Sequence, residues 1–401
     1  MARSPIDRQR LGRIGRHFQK YVDDGRLPGW QVIIAHGGDI VYEAIAGNRD
    51  IEAGLPWTDD TIVRLYSNSK IVTAVAAMIL WEEGAFELRD PVHAYIPSFA
   101  ETRVYKAGNA TAPSTVPQLD PMRVWHLFAH TSGLTYGFHR ANPVDEIYRL
   151  NGFELGSPDL SLADICDRLA TFPLCFQPGA EWNYSMSTDV LGRLVEVCSG
   201  QTLDEFFRTR IFEPLSMVDT AFHCPEPKHG RLAALYTPTG PGRTAARSDA
   251  LGAGAKSPQK FLSGGGGLVG TARDYHRFLE MLRRGGELDG QRLLSPKSVQ
   301  MMASNHLPDN ADLTAFGRQL FAETSFDGVG FGLGVSVMLD PVKAKVSGSV
   351  GDFGWGGAAS TWALVDPVED ISLFFATQLL PSSTWPIRSQ MRPLLHQALT
   401  T

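Results

Sequence analysis

The chain has 401 residues, 43% of them hydrophobic and 20% charged, with a formal net charge of −6. At about 150 residues per unit this length suggests two or three units or an interleaved pair. The apolar share excludes a wholly disordered chain, and the acidic balance excludes the basic footprint of a nucleic-acid binder. The longest apolar run, at 71–81, falls short of the roughly 18 residues a membrane-spanning helix needs, so no membrane partner is expected.

Leu11, Ile14, Phe18 and Val22 recur at helical spacing and predict an amphipathic first helix that ends at Pro28-Gly29. The basic stretch before and within it has no apolar core and no cleavage-like run of small residues. The expected location is therefore cytoplasmic. Segments 31–36 and 40–46, around Gly37-Gly38-Asp39, predict a hairpin. From Ser67 to Leu80 the sequence is apolar almost all round, which predicts a buried helix stopped by Gly84.

Between about residues 90 and 263, helical stretches at 160–172, 188–198 and 203–211 alternate with Pro/Gly-rich connections, and strand-like runs are scarce. Strand signals return at 346–350, 360–365 and 371–377, and a last helix is expected near 388–399. Strands at both ends bracketing a helical insert predict an α+β fold. Residues 1–90 and 264–401 would form a discontinuous domain around an antiparallel sheet flanked by helices. Residues 91–263 would form a mostly helical second domain, with the active site between the two.

Ser67-Asn68-Ser69-Lys70 opens the buried helix. A serine hydroxyl is a poor nucleophile until a neighbour takes its proton. Three residues are nearly one helical turn, so Ser67 and Lys70 share a face. Burial in an apolar helix favours the neutral, basic form of a lysine, and a helix N-terminus suits an oxyanion. Tyr184, in Tyr184-Ser185-Met186, supplies a phenol that can relay a proton. Gly354-Trp355-Gly356-Gly357-Ala358 precedes the 360–365 strand signal; its glycines would admit a ligand and leave N–H groups for a developing negative charge.

In this order, Ser67-x-x-Lys70, Tyr184-Ser185-Met186 and Trp355-Gly356-Gly357 resemble the three boxes of the serine β-lactamase and penicillin-binding-protein superfamily. Within it they are most similar to the class C-like branch and its family VIII carboxylesterases. Phe128-Ala129-His130-Thr131-Ser132-Gly133-Leu134, the stretch at 211–217 and the glycine-rich 264–272 carry the resemblance over almost the whole chain. The resemblance implies a β-lactamase/transpeptidase-like fold and a covalent acyl-enzyme. Ser67 would be the nucleophile, Lys70 its proton partner and Tyr184 the general base or shuttle. The N–H groups of Ser67 and Ala358 would form the oxyanion hole, with Gly357, Trp355 and Met186 on the substrate side.

Two departures bear on the substrate. Met186 stands where lactam-hydrolysing members carry an Asn, and Trp355 where they carry a Lys or His that holds the substrate carboxylate. Lys345, ten residues before Trp355, is an imperfect stand-in. The expected activity is thus hydrolysis of a small neutral ester. The alternatives are a β-lactamase, a D-amino-acid peptidase or amidase, or an acyltransferase of the same fold; a non-catalytic binding protein would be expected to have lost one of Ser67, Lys70 or Tyr184. The G-x-S-x-G elbow of α/β-hydrolases is missing. Gly252-Ala253-Gly254-Ala255-Lys256-Ser257 is a poor phosphate loop, and the Gly264–Gly267 run reads as a tight turn into a strand. His130 reads as a structural histidine. Cys166, Cys175, Cys198 and Cys224 are too few for a disulfide framework and lack zinc-site spacing, so neither metal nor cofactor is expected.

Overall fold

The computed structural model describes residues 5–154, 159–318 and 325–400. Helix α1 (Arg8–Asp23) starts where the Asp7 carboxylate accepts the N–H groups of Gln9 and Arg10 at 2.8 and 3.1 Å. Its buried stripe is Leu11, Ile14, Phe18 and Tyr21. Tyr21 joins the expected set, and Val22 is partly buried against the same cluster. The expected hairpin follows, β1 (Gly29–His36) and β2 (Asp39–Asp50), turning through Gly37 and Gly38, both at positive φ.

All positions of β1 are buried: β2 and a strand from the far end of the chain pair with its two edges, and an apolar layer covers each face. With β3 (Leu55–Pro56), β4 (Val329–Phe331), β5 (Ser336–Met338), β6 (Phe353–Gly356), β7 (Trp362–Asp366) and β8 (Ile371–Thr377), one sheet runs in the order β4-β5-β6-β7-β8-β1-β2-β3. Every neighbouring pair is antiparallel. Trp30 lies opposite Thr377 and His36 opposite Ile371, so the two ends of the chain close a single sheet.

The remaining helices that matter for the site are α2 (Ser69–Glu82), α3 (Ser187–Ser199), α4 (Ala272–Arg283) and α5 (Ile387–His396). Alternation along β1 sorts the layers. Val32 and Ile34 join α1 and α5 in one apolar cluster, with Leu11, Phe18, Met391 and Leu395. Ile33 joins the other, with α2, α3 and α4. The helical insert packs through α3 against α2, so the helix that follows Ser67 is buried between the sheet side and the insert.

Three local expectations change. The 346–350 run is a loop: Ser347 Oγ bonds His396 Nδ1 at 3.0 Å and Ser349 Oγ donates to Asp366 at 2.7 Å, so side-chain bonds to distant elements stand where a ladder was expected. The insert also contains two hairpins, Val104–Asn109 with Ala112–Val116 and Tyr236–Thr239 with Thr244–Arg247. The second already touches the sheet side, where the Tyr236 N–H donates to Gln378 O at 2.9 Å, so the chain crosses back well before residue 264. Finally, Trp355 and Gly356 belong to β6 itself, and the turn into β7 comes after them.

Candidate active site

Ser67 sits in the single 3₁₀ turn Tyr66–Asn68, immediately before α2 rather than within it. Tyr66 has φ 46°, a left-handed backbone that costs a non-glycine residue about 1–2 kcal/mol. Asn68, fully buried, holds the turn. Its Nδ2 donates to Trp355 O at 3.1 Å, its Oδ1 accepts from Thr361 Oγ1, and its carbonyl accepts from Tyr275 Oη at 2.9 Å. The nucleophile turn is therefore clamped directly to the end of β6.

One turn on, Lys70 is 2% exposed. Its Nζ donates to Ser67 Oγ at 3.2 Å, Tyr136 Oη at 3.1 Å and Gly265 O at 2.6 Å. Tyr184 Oη lies 2.6 Å from Ser67 Oγ and accepts from Trp355 Nε1 at 3.2 Å. Lys70 Nζ also lies 4.6 Å from the Tyr184 ring centroid, so the cation meets the phenol through its π face as well. The structure thus brings Ser67, Lys70, Tyr184 and Trp355 together. Lys70 is the one charged side chain bonded to Ser67 Oγ or Tyr184 Oη among the described residues.

Behind Lys70 stand Tyr136 and Asp189, which no motif announces, and Gly265 of the glycine-rich 264–272 stretch. The Gly265 carbonyl takes Lys70, while its N–H donates to Asp189 Oδ1 at 3.0 Å, which also accepts from Ser263 Oγ at 2.6 Å. A Cβ on Gly265 would lie 2.8 Å from Asp189 Oδ2 and 2.9 Å from Tyr136 Oη, so a side chain here would displace the groups behind Lys70. A turn into a strand does follow, at Val269–Thr271, and Gly265 also lets the Asp189 carboxylate and the Tyr136 hydroxyl come close to the backbone. Burial, with the charge of Asp189 and the neighbouring Tyr184, pushes the Tyr136 phenol well above its usual value, so it stays a neutral hydroxyl. Burial also raises the Asp189 carboxyl, against the pull of the Lys70 ammonium.

His130 is buried at φ 55° and bonds Ser185 Oγ at 3.2 Å through Nδ1; Ser185, Ser187 and Ser132 continue the chain at 2.7 and 2.6 Å. Burial, then the Lys70 charge, lowers its pKa well below the usual histidine range. It packs on the Tyr184 ring at 5.0 Å between centroids and is a structural support, as its sequence context suggests.

The third box differs from expectation. Its glycines do not hold space open for a ligand; protein atoms fill it. A Cβ on Gly356 would lie 2.1 Å from the Arg388 guanidinium carbon, and one on Gly357 2.2 Å from Thr361 Oγ1 and 2.3 Å from Leu65 O. Around them Asn68 N–H pairs with Leu65 O, Gly357 N–H with Thr361 O, and Ser360 N–H with Gly357 O. Among the described residues these pairings leave the N–H groups of Ser67 and Ala358 without a protein acceptor, the arrangement an oxyanion hole requires. Met186, expected on the substrate side, is fully buried in the apolar core with its N–H on Thr135 O, so it presents no surface to a substrate.

Beside β6 opens a cleft of about 250 Å³ lined by Phe326, Val329, Trp355 and Trp362, with Lys345 and Arg388 on its wall. Lys345 is exposed, in a left-handed conformation after a short helix, and makes no bond to the catalytic cluster. Among the described residues no group of His, Cys, Asp or Glu side chains could hold a metal ion, and no helix is long and apolar enough to cross a membrane. The four cysteines are free, Cys198 half-buried and the others buried.

The chain is similar to known proteins over most of its length. A family model described as Beta-lactamase matches residues 14–390. Protein Rv1367c of Mycobacterium tuberculosis is 36% identical over 367 residues, covering 91% of this chain and 89% of that protein. Esterase EstB of Burkholderia gladioli is 30% identical over 383 residues, covering 91% and 89%. Among solved structures, EstCE1, described as a hydrolase with promiscuous acyltransferase activity, superimposes with a TM-score of 0.82 at 27% identity, covering 97% of this chain and 99% of that one.

Proposed function

The chain belongs to the beta-lactamase family, and on that premise we propose that it is a serine carboxylesterase that hydrolyses small neutral esters through an acyl-enzyme on Ser67. One observation carries the reading: Ser67 Oγ lies within hydrogen-bond reach of both Lys70 Nζ and Tyr184 Oη, at 3.2 and 2.6 Å. The Tyr184–Lys70 pair enters the step with one proton fewer than phenol plus ammonium, and Ser67 Oγ attacks the ester carbonyl carbon while its proton fills that vacancy. The carbonyl oxygen, now negative, is received by the N–H groups of Ser67 and Ala358. The ester C–O bond then breaks and the proton leaves with the alcohol. Water repeats the sequence on the acyl carbon, its proton passing through the same pair and back to Ser67 Oγ as the acid departs. The name of Esterase EstB supports an ester substrate, and the description of EstCE1 as a hydrolase supports hydrolysis. EstCE1's second activity favours one variation, in which an acceptor alcohol replaces that water.

Trp355 supports esters over lactams. Where a cation would hold a lactam's carboxylate, this chain sets an indole whose N–H is already engaged by Tyr184. A lost charge-assisted bond is worth about 1.5–3 kcal/mol, or about 10–150-fold in kcat/KM. Met186, being buried, adds nothing to this figure. The test is kcat/KM for a short-chain nitrophenyl ester against a chromogenic cephalosporin in one buffer. The ester should win by at least that factor; equal or better lactam turnover would mean that a cation on the cleft wall holds the carboxylate and that the ester reading fails.

A further inference from the structure

We infer that Arg388 is a positioning residue for the oxyanion hole: its guanidinium fixes and polarises the Gly357–Ala358 peptide whose N–H meets the substrate oxygen. The inference rests on the serine-hydrolase reading above. Arg388 is the second residue of α5, and its Nη2 donates to Gly357 O at 3.2 Å and to Thr361 O at 3.4 Å. Gly357 O also accepts the Ser360 N–H at 3.1 Å. Gly357 O and the Ala358 N–H belong to one planar trans peptide and point in opposite directions. Two donors on that oxygen therefore orient the N–H on the other side, and a charged donor strengthens it by drawing density toward the carbonyl.

The sequence of β6 makes this possible. Alternation sends Trp355 to one face, where its indole reaches Tyr184, and Gly356 to the other. On that second face the guanidinium lies where any side chain would be, 2.1 Å from the position of a Cβ. The strand is thus held by Trp355 in front and Arg388 behind. This accounts for a glycine at 356 independently of the one at 357, which the nucleophile turn requires.

The test uses Arg388→Met, which keeps the stem and removes the donors, and Arg388→Lys, which keeps a charge and one donor direction. Three quantities are read with a neutral nitrophenyl ester: kcat and KM, the inhibition constant of an alkyl boronic acid whose adduct on Ser67 places a charged oxygen in the hole, and the infrared C=O stretch of the acyl-enzyme. For Arg388→Met, kcat should fall about 10–100-fold, less than the roughly 10²–10³ that removal of an oxyanion-hole donor itself costs. KM should hardly move, boronate affinity should fall by a like factor, and the C=O stretch should rise in frequency. Arg388→Lys should lie between it and the wild type, which a folding defect alone would not produce in the infrared band. Unchanged kcat, boronate affinity and C=O frequency in the folded Arg388→Met variant would overturn the inference, as would a loss confined to KM, which would make Arg388 a substrate anchor. Failure of the wild-type enzyme to form a boronate adduct on Ser67 would instead sink the hydrolase reading itself.

Discussion

Trp355→Phe isolates one hydrogen bond. The indole Nε1–H donates to Tyr184 Oη at 3.2 Å, and phenylalanine deletes that donor while keeping an aromatic ring against Tyr184, Phe326 and Phe331, whose centroids lie 5.5, 6.0 and 5.3 Å from that of Trp355. Tyr184 Oη stands 2.6 Å from Ser67 Oγ. During attack it exchanges the serine proton, and the indole N–H steadies the charge that the phenol oxygen carries as it does so. A hydrogen bond to a charged partner contributes about 1.5–3 kcal/mol, which sets the expected fall in kcat at about 10–150-fold. KM should change little, because the indole N–H is spent on Tyr184 and not on substrate. The assay is steady-state turnover of a short nitrophenyl ester at several pH values, with a melting curve to separate the smaller ring's packing loss from the catalytic one. A folded Trp355→Phe enzyme that keeps its wild-type kcat would refute the idea that the third box acts on the phenol.

Lys70→Ala and Tyr184→Phe should each cost about 10²–10⁴ in kcat, and the double variant should lose far less than their product, because a unit broken once has little left to lose; a full product of losses in the double-variant cycle would show that the two groups act independently. Gly357→Ala would press a Cβ against Leu65 O at 2.3 Å, a backbone atom that cannot step aside, so both melting temperature and turnover should drop, and a variant with unaltered values would show that the turn is looser than described. Burial lowers His126 to about 4, so on acidification the unfolded chain takes up that proton first, at about pH 6.5. The contribution is complete above about pH 6.5 and declines toward pH 4, by at most about 3 kcal/mol; in urea titrations His126→Asn should flatten that part of the decline, and a variant with the wild-type slope would contradict the assignment.

What the sequence could reveal depended on range along the chain. Ser67 and Lys70 stand one helical turn apart, so their meeting follows from local geometry, and Tyr184 follows from the ordered boxes. The hairpin at 29–50 and the strand at 371–377 are legible from alternation and turn glycines, and their pairing from the bracketing of a helical insert. Tyr136 and Asp189 reach Lys70 and Gly265 only through the packing of distant segments, and no spacing rule marks either. The 346–350 run has a strand's composition, yet His396 and Asp366 claim its serines, and those partners come from other elements. Met186 follows Tyr184 by two residues in a motif, but it is the first step into α3 and its side chain goes to the core. The glycines at 356 and 357 show in sequence only that something comes close; the structure identifies it as Arg388 on one side and the nucleophile turn on the other.

The central claim is an acyl group on Ser67, and rapid-quench peptide mass spectrometry tests it directly. The enzyme is mixed with excess nitrophenyl ester, quenched in acid within the first turnover, digested and mapped. The account predicts one acyl group, on the peptide at Ser67, and neither that group nor ester turnover in a folded Ser67→Ala variant. An acyl group on any other residue, or a Ser67→Ala enzyme that still turns over ester, would contradict it.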